Sequence, residues 1–323
     1  MKPALRFAVS PVLRFALAAQ VLGACSPPYG SYRYDPAQAT HPQFSEDRAY
    51  QHVAAQVAFG PRPPGSQALR KTADYLEQQL KQSGWAIQRQ EFQDHTPLGQ
   101  TQFCNLRARF PRTASPQPDA QLWQRPVTVL IGSHYDTKYF RDVIFTGAND
   151  GGSSTGILLE MARVLAAQPA LAGLLELVFF DGEEAFETFT DTDGLYGSRH
   201  YVKTMKQAPG KHSWPKAVVI LDLLGEKALN VQIPSDTPAH LRSALFAAAR
   251  DLGHSHQFGV SRNPITDDHS PFQREGIPAI DIIDLDYGAW HTSRDTMNQI
   301  SKESLGICGK TALLLVEKYL TAP

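Results

Sequence analysis

Two adjacent glutamates, Glu183 and Glu184, are the residues of this chain best placed to do chemistry. They follow the apolar run Leu175–Phe180, which predicts a buried strand of a parallel sheet. Because open α/β sheets carry their active sites at the carboxyl ends of strands, we expect the pair at that edge. Neighbouring carboxylates repel each other unless a cation compensates them or one keeps its proton. A divalent metal bound by one glutamate, with the other free for proton transfer, meets both demands; a solvated acidic turn is the alternative.

Three further segments carry metal-ligand residues, each after a predicted strand: His134 and Asp136 in SHYDT, Asp150 in GANDGG, and His291 in AWHTSRDT. Taken singly, His134 could be a core histidine and Asp150 a helix cap. Histidine and carboxylate ligands from separate loops, with one position left open, are instead typical of a catalytic zinc site. The chain has no Cys-x-x-Cys pair, so a structural zinc is not expected.

The ordered motifs SHYDT, GANDGG, FFDGEEAF, LLDLLG, TDDHSPF and AWHTSRDT resemble those of the M28 superfamily of zinc-dependent exopeptidases. Within it, the chain is most similar to the animal-type glutaminyl-peptide cyclotransferases, also called glutaminyl cyclases. The resemblance runs over roughly residues 45 to 320. It implies an enzyme that converts the N-terminal glutamine of peptides or proteins to pyroglutamate and releases ammonia.

The resemblance also implies one zinc ion per chain, bound by Asp150, Glu184 and His291. His134 and Asp222 match ligands of a second zinc in the aminopeptidases of the superfamily, and the cyclases keep these positions without a second metal. One zinc ion is the expectation, although every position of a two-zinc site has a potential ligand here. Asp295 is expected either to orient His291 or to cap the last helix.

By the same resemblance, Glu183 is the proton shuttle, and Asp222 and Asp267 form a hydrogen-bonded acidic pair beside it. Two carboxyls that close do not both ionise easily, so one of them is expected to share a proton. Zinc would polarise the γ-carbonyl of the glutamine, which the free α-amine attacks intramolecularly. Glu183 would take a proton from the amine and return it to the leaving nitrogen.

The expected substrate-binding wall comprises Trp290, Phe189, Tyr287, Ile265 and Thr266. Trp290 directly precedes His291 and resembles the aromatic wall of the cyclase pocket. Phe189 stands where animal cyclases have a pocket tryptophan, and it keeps an apolar surface without the indole N–H donor. Packing in the core is the alternative for both aromatic side chains.

Two other functions stay open. An M28 aminopeptidase would use Glu183 as the base for a water that attacks the first peptide bond. The loop GANDGGSS is nearer to the aminopeptidases, whereas the long segment from Glu184 to Tyr196 and the doubled aspartate of ITDDHSPF favour the cyclase. A surface lipoprotein that keeps the fold as a binding module is disfavoured, because Glu183 and every metal ligand are present.

The first residues resemble a bacterial lipoprotein signal. Lys2, Arg6 and Arg14 precede the apolar segment Phe15–Ala24, and the run LGAC ends at Cys25. We therefore expect a signal peptide over 1–24, lipidation and membrane attachment at Cys25, and a flexible tether over 25–43. This would make the protein a periplasmic lipoprotein of the bacterial cell envelope, anchored at the outer membrane. An ordinary signal peptide is the alternative.

Strand–helix alternation predicts one α/β domain over 44–323, a three-layer sandwich whose central mixed, largely parallel β-sheet has helices on both faces. Two early strands are expected to form an antiparallel edge of this sheet. The pattern predicts helices near 45–58, 66–82 and 302–319 and strands near 84–93 and 101–109.

Charge and cysteine content limit the partners. The formal charge is −1, or −4 once residues 1–24 are removed, and no basic cluster predicts nucleic-acid binding. The two cysteines of the predicted domain, Cys104 and Cys308, could pair in an oxidising compartment.

Overall fold

A computed structural model of the chain describes Met1 and residues 32–111, 121–207 and 214–321. Residues 2–24 of the predicted signal peptide and Cys25 lie outside these residues. Among the helices that are described, none has the length and apolar character needed to cross a bilayer. Helices α1 to α8 comprise Glu46–Ala58, Gln67–Gln82, Gly152–Leu165, Pro169–Ala172, Tyr196–Gln207, Ala239–Asp251, Ser270–Arg274 and Lys302–Leu314. Strands β1 to β8 comprise Ala86–Thr96, Gly99–Arg109, Val129–His134, Leu175–Phe180, Ala217–Asp222, Val231–Ile233, Phe258–Val260 and Ala279–Ile283.

Six strands form the central sheet in the order β1-β2-β4-β3-β5-β8. Strands β4, β3, β5 and β8 are parallel, whereas β2 is antiparallel to β4 and β1 is antiparallel to β2. Every residue of the four parallel strands is buried, as expected where helices cover both faces of a sheet. The predicted mixed sheet with an antiparallel edge is confirmed.

Alternation along β4 divides the hydrophobic core into two layers. Phe179 belongs to the larger cluster, which includes side chains of α1, α3 and α8. Phe180 belongs to a second cluster with Tyr201 of α5 and Phe272 of α7. Because successive side chains of a strand point to opposite faces, the sheet is the middle one of three layers.

Three of the described helices begin at a serine whose hydroxyl caps the first turn. Ser45 and Ser66 accept hydrogen bonds from backbone N–H groups in the first turns of α1 and α2, and Ser301 does so for α8. The final predicted helix, 302–319, changes its hydrogen-bonding pattern. It is α-helical to Leu314 and π-helical over Leu315–Leu320.

Part of the predicted tether packs onto the domain. Residues 36–38 and 41–43 form short 3₁₀ turns. The buried Thr40 donates hydrogen bonds from its backbone N–H and its hydroxyl to the carboxylate of Glu317, at 2.8 and 2.6 Å. The described residues from 32 onward group into one compact unit. The ordered domain therefore begins before residue 44, and residues 32–43 are not a free linker.

Cys104 and Cys308, whose pairing the sequence leaves open, do not form a disulfide. Both are free thiols, and they lie on different elements, Cys104 on the outer strand pair and Cys308 buried in α8.

Candidate metal centre and active site

The predicted site residues converge at the carboxyl ends of the parallel strands. Strand β3 ends at His134 and β5 at Asp222, while Glu183 and Glu184 follow β4 in a tight turn. These four side chains are buried. Parallel strands end at the same edge of a sheet, which is why residues far apart in sequence meet there.

A glycine brings Asp150 close to the strand ends. Gly151, which precedes α3, has a φ of +71°, and a Cβ at this position would lie 2.7 Å from the carbonyl oxygen of Asp136 and 2.9 Å from Cε1 of His134. Only glycine adopts this backbone conformation at such close approach without strain. The glycine-rich loop therefore lets the carboxylate of Asp150 reach His134 and the glutamate turn.

Asp150, Glu184 and His291 form one group of potential metal ligands. Nε2 of His291 lies 3.1 Å from Oε1 of Glu184 and 3.3 Å from Oδ2 of Asp150. Ligands about 2.0–2.2 Å from a tetrahedral zinc ion are roughly 3.3–3.6 Å apart, so the spacing is close to that of a zinc site. No contact of the buried Oδ2 of Asp150 or Oε2 of Glu184 has good hydrogen-bond geometry, as expected of oxygens available to a cation. The residues present therefore fit a zinc ion.

A second group shares Asp150. Nε2 of His134 lies 3.4 Å from Oδ1 of Asp150 and 3.0 Å from Oδ1 of Asp222. Asp150 thus directs one oxygen to each group, as a carboxylate that bridges two ions would. The site therefore has one ligand group for a first metal ion, with Glu184 and His291, and another for a second ion, with His134 and Asp222. The sequence motifs predict the same two sets of potential ligands.

Asp295 holds the loop that carries Asp150. Its carboxylate accepts hydrogen bonds from the backbone N–H groups of Asn149 and Asp150, at 2.8 and 3.1 Å, and from the hydroxyl of Tyr287, at 2.8 Å. These bonds orient the loop of Asp150 rather than His291, and the last helix is capped by Ser301 rather than by Asp295.

Asp136 holds the turn that contains Glu183 and Glu184. Its two carboxylate oxygens accept from the backbone N–H groups of Glu183, at 3.2 Å, and Glu184, at 3.4 Å. Asp136 belongs to neither ligand group that contains Asp150. Of the two candidate ligands in SHYDT, only His134 joins such a group, and Asp136 positions the turn.

Burial and crowding alter the protonation of the site. Burial raises the pKa of Glu183 well above its ordinary value, and the charges of Asp267 and Glu184 raise it further, against the effect of His134. Burial and the charge of Asp150 raise the pKa of Glu184 to about 7. Burial lowers the pKa of His291, but its interactions with Asp150 and Glu184 outweigh this effect and raise the pKa to about 9. Such a set holds protons that a divalent cation would displace.

The predicted acidic pair is part of a larger group. Burial and the charge of Asp222 raise the pKa of Asp267 to about 7, so these two are electrostatic neighbours as expected. Their hydrogen bonds go elsewhere, however, because Asp222 pairs with His134 and Oδ1 of Asp267 accepts from the backbone N–H of Asp268. Buried His269 lies close to Asp267 and Asp281. The signal for Asp281 is its position as the one acid within the apolar run IPAIDII.

Most residues of the expected substrate wall are accessible. Trp290 is 45 % exposed and stacks on His291 with ring centroids 4.1 Å apart, and Phe189 is 39 % exposed. Phe189 and the exposed Thr266 line one cavity of about 430 Å³. Neither aromatic ring is packed in the core. Tyr287, in contrast, is buried in a small cluster with Ile265 against it, and its hydroxyl supports Asp295.

Comparison with known proteins agrees with the geometry of this site. The peptidase family M28 pattern matches residues 114–316. The chain belongs to peptidase family M28. It is 31% identical to the glutaminyl-peptide cyclotransferase of Bothrops jararaca over 295 residues, 80% of this chain and 77% of that protein.

Solved structures give the same family relationship. A glutaminyl cyclase from an Acidobacteriales bacterium is 32% identical to this M28 chain with a TM-score of 0.74, and the match covers 84% of this chain and 94% of that one. A Zn-dependent exopeptidase from Parabacteroides distasonis is 30% identical with a TM-score of 0.73, covering 84% and 98%. The predicted family membership is confirmed.

Several residues around the M28 site were not predicted from the sequence. Nζ of Lys138 lies 3.6 Å from Oε2 of Glu184 and donates to the carbonyl of Ala185 at 2.6 Å. Phe140 and Phe145 meet the ring of His291 edge-on, with centroids 5.9 and 5.8 Å away. All three lie in the segment between SHYDT and GANDGG, where no spacing or motif singles them out.

Arg62 is the remaining support that sequence reasoning did not assign. It is fully buried and donates to the carbonyl oxygens of Thr146 and Gly147, at 2.7 and 2.9 Å. These bonds hold the glycine-rich loop just before Asp150. The sequence feature that could have indicated a role for Arg62 is its position in AFGPRPPGS, the segment before α2, where a basic residue lies among prolines and glycines.

Proposed function

We propose that this chain is a zinc-dependent glutaminyl-peptide cyclotransferase. Its substrates would be peptides or proteins that begin with glutamine, and its products pyroglutamyl peptides and ammonia. The observation that carries the proposal is the ligand group of Asp150, Glu184 and His291, with the buried carboxyl of Glu183 adjoining it. The similarity to cyclotransferases over most of the chain supports it.

Asp150, Glu184 and His291 would hold one zinc ion per chain. When bound, zinc polarises the γ-carbonyl of the glutamine and stabilises negative charge on its oxygen. The protein keeps these ligands in place through Asp295, which accepts from the backbone of Asp150, and through the N–H group of Glu184, which donates to Asp136.

Glu183 would move the proton. The α-nitrogen of the substrate forms a bond to the γ-carbon, and the bond from that carbon to the amide nitrogen breaks. The proton lost by the attacking amine passes to Glu183 and from there to the leaving nitrogen, which departs as ammonia. Burial raises the pKa of Glu183, with a further contribution from Asp267, which suits a group that must both accept and return a proton. Asp267 would act on Glu183 through its charge, and Asp222 would act through its hydrogen bond to His134.

The exposed aromatic side chains of Trp290 and Phe189 would form the walls that receive the glutamine, with Thr266 beside them. Holding the α-amine close to the γ-carbon would supply much of the rate acceleration, since the attack is intramolecular. Buried Tyr287 would contribute through Asp295 rather than by touching the substrate.

The test is incubation of the zinc-loaded protein with a Gln-initiated peptide and with matched peptides that begin with alanine or leucine. Products are followed by mass spectrometry, with and without a chelator. Loss of ammonia from the glutamine peptide alone, suppressed by the chelator, is the expected result. Release of the first residue from the control peptides would refute the proposal.

An M28 aminopeptidase is the second candidate. The group of His134, Asp150 and Asp222 favours it, because it retains ligands for a second ion beside the first. The likeness to a Zn-dependent exopeptidase from Parabacteroides distasonis agrees with this alternative. Zinc content separates the two: about one equivalent per chain supports the cyclotransferase and about two support the peptidase.

We also propose that the protein is exported and lipidated at Cys25, which would attach it to a membrane of the bacterial cell envelope. The run LGAC after an apolar segment supports this proposal. Expression in a bacterium with a labelled fatty acid is expected to label the protein, and Cys25→Ala is expected to abolish the label. Equal labelling of both forms would contradict it.

A further inference from the structure

The cavity at the substrate wall is bordered by two arginines. Phe189 and Thr266 line it on one side, and Arg199 and Arg274 also line it. The cavity lies next to the proposed proton shuttle, because the backbone N–H of Leu195, another lining residue, donates to the carbonyl of Glu183 at 2.7 Å. A peptide whose first residue is at the metal centre would therefore leave past these arginines.

The same two arginines line a second cavity of about 400 Å³. This cavity runs between α5 and α7, where Lys203 and Lys206 add two more positive charges. The two cavities share Arg199 and Arg274 as lining residues, so they adjoin each other. We call them together the α5–α7 groove and define it by Arg199, Lys203, Lys206 and Arg274. The groove extends from Phe189 and Thr266 of the substrate wall to Lys206 of α5.

Among the residues that the structure describes, no carboxylate pairs with two of the four cations. Arg199 donates to the carbonyl oxygens of Asp191 and Thr192, at 3.0 and 3.3 Å, which hold its guanidinium without neutralising it. Lys203 is exposed and forms no ion pair with any residue that the structure describes. A groove with fixed, unneutralised cations attracts negative charge, and its low-dielectric walls strengthen that attraction.

The other two cations are paired with carboxylates that line the same cavities, Asp191 and Glu275. Nη2 of Arg274 lies 3.6 Å from Asp191, whose side chain is 92% exposed, and Nζ of Lys206 lies 2.7 Å from the half-buried Glu275. Ion pairs at the surface contribute little to stability. With four cations and two carboxylates among its lining residues, the groove keeps an excess of positive charge although the chain is not basic.

The spacing of the cations suits an extended peptide. Arg199, Lys203 and Lys206 follow one another at i, i+4 and i+7 on one face of α5. The distance along the helix from the first to the last is roughly 10 Å, which about three residues of an extended chain would span.

We propose that the α5–α7 groove is an extended substrate site that binds acidic residues located a few positions after the N-terminal glutamine. The inference rests on the proposed cyclotransferase function and names the substrate class of that site: Gln-initiated peptides with acidic side chains downstream. The groove acts on binding and leaves the chemical step to the metal centre.

The kinetic test uses three peptides that differ only in charge: Gln-Ala-Ala-Glu-Glu-Ala, Gln-Ala-Ala-Gln-Gln-Ala and Gln-Ala-Ala-Lys-Lys-Ala, all as C-terminal amides. The kcat/KM of the acidic peptide is expected to exceed that of the neutral one by about two- to fivefold at low salt, the range of one or two exposed charge pairs. The advantage is expected to shrink as salt screens the groove. Equal values for the acidic and neutral peptides would overturn the proposal.

A matched pair of variants assigns the effect to the groove. Lys203→Glu is expected to abolish the preference for the acidic peptide. Lys71→Glu makes the same change of charge at an exposed lysine of α2, outside the groove, and is expected to keep the preference. If both variants reduced the preference equally, net charge rather than the groove would be the cause, and the proposal would fail.

Direct binding separates this inference from the proposed function. The pyroglutamyl forms of the acidic and neutral peptides, labelled at the C-terminus, are titrated with the protein and followed by fluorescence anisotropy. Tighter binding of the acidic form is expected whether or not the protein turns over glutamine. If no Gln peptide is cyclised but the acidic peptide still binds more tightly, the cyclotransferase proposal is wrong and the groove proposal stands. If the acidic and neutral peptides bind equally, the groove proposal is wrong.

Discussion

Glu183 and Glu184 are adjacent in sequence but differ in their surroundings. Glu184 lies 3.1 Å from His291 in a group of metal ligands, whereas Glu183 belongs to none of the ligand groups found among the described residues. Both backbone N–H groups donate to Asp136, so the turn is held as one unit. The turn thus presents one carboxyl to the metal centre and leaves the other free for proton transfer.

The first prediction concerns the free carboxyl. Glu183→Gln removes the ability to accept a proton but keeps the shape of the side chain, so kcat is expected to fall by about 10²- to 10⁴-fold. Zinc binding and thermal stability are expected to stay close to those of the unaltered protein. Initial rates, a zinc titration and a thermal melt check the three parts. Glu187→Gln, at an exposed glutamate nearby, is the control, and activity retained in the Glu183 variant would contradict the assignment.

The second prediction concerns the support of Asp150. Asp295→Ala removes the acceptor of two backbone N–H groups, so the Asp150 loop is expected to lose its fixed position and zinc affinity to fall by about 10- to 100-fold. Tyr287→Phe keeps that carboxylate and is expected to have a smaller effect. Competition with a chelating dye measures both affinities. An unchanged affinity in the Asp295 variant, relative to a control at the exposed Asp236, would show that the loop does not need this support.

At the scale of elements, strand–helix alternation predicts the largely parallel sheet and the approximate bounds of helices α1, α2 and α8. The antiparallel pair appears near its predicted position, with β1 running to Thr96. Packing of residues 32–43 could not be predicted, because Thr40 bonds to Glu317, 277 residues away along the chain. Local sequence encodes strand and helix periods, but it does not encode contacts between the two ends of a domain.

The third prediction tests the role of β4 in holding the sheet between its helical layers. Leu177 is completely buried in the larger hydrophobic cluster, so Leu177→Ala is expected to lower the free energy of unfolding by about 2–5 kcal/mol. Leu98, in the turn between β1 and β2, is 54% exposed. Leu98→Ala is therefore expected to change the free energy of unfolding by less than about 0.5 kcal/mol. Urea unfolding measures both. Equal losses for the two variants would mean that β4 is not central to the core.

For the whole molecule, zinc binding and folding are coupled through protons. The metal-free protein has a pKa of about 7 at Glu184 and about 9 at His291, and both groups must be deprotonated to bind a metal. As the pH falls below about 9, and again below about 7, protons therefore compete more strongly with zinc. Zinc affinity decreases in the same direction, and so does the stability gained from zinc, since only the folded state has the complete site.

The fourth prediction follows from this coupling. The rise in Tm on adding a fixed excess of zinc is expected to be larger at about pH 8 than at about pH 5.5, because fewer protons must be displaced at the higher pH. Differential scanning fluorimetry at several pH values measures it, with chelator-treated protein as the reference. A zinc-induced shift independent of pH would mean that Glu184 and His291 do not bind the ion.

The sequence by itself determined the family, the α/β class and the identity of the metal-ligand candidates, because short motifs and strand periods are local properties of the chain. Only the tertiary structure decided which side chains share a hydrogen bond. It paired Asp222 with His134, used Tyr287 and Asp295 to support Asp150, and placed Arg199 and Arg274 along one groove. Asp295 and Asp150 are 145 residues apart, and their contact exists because the parallel strands end at one edge and bring their following loops together.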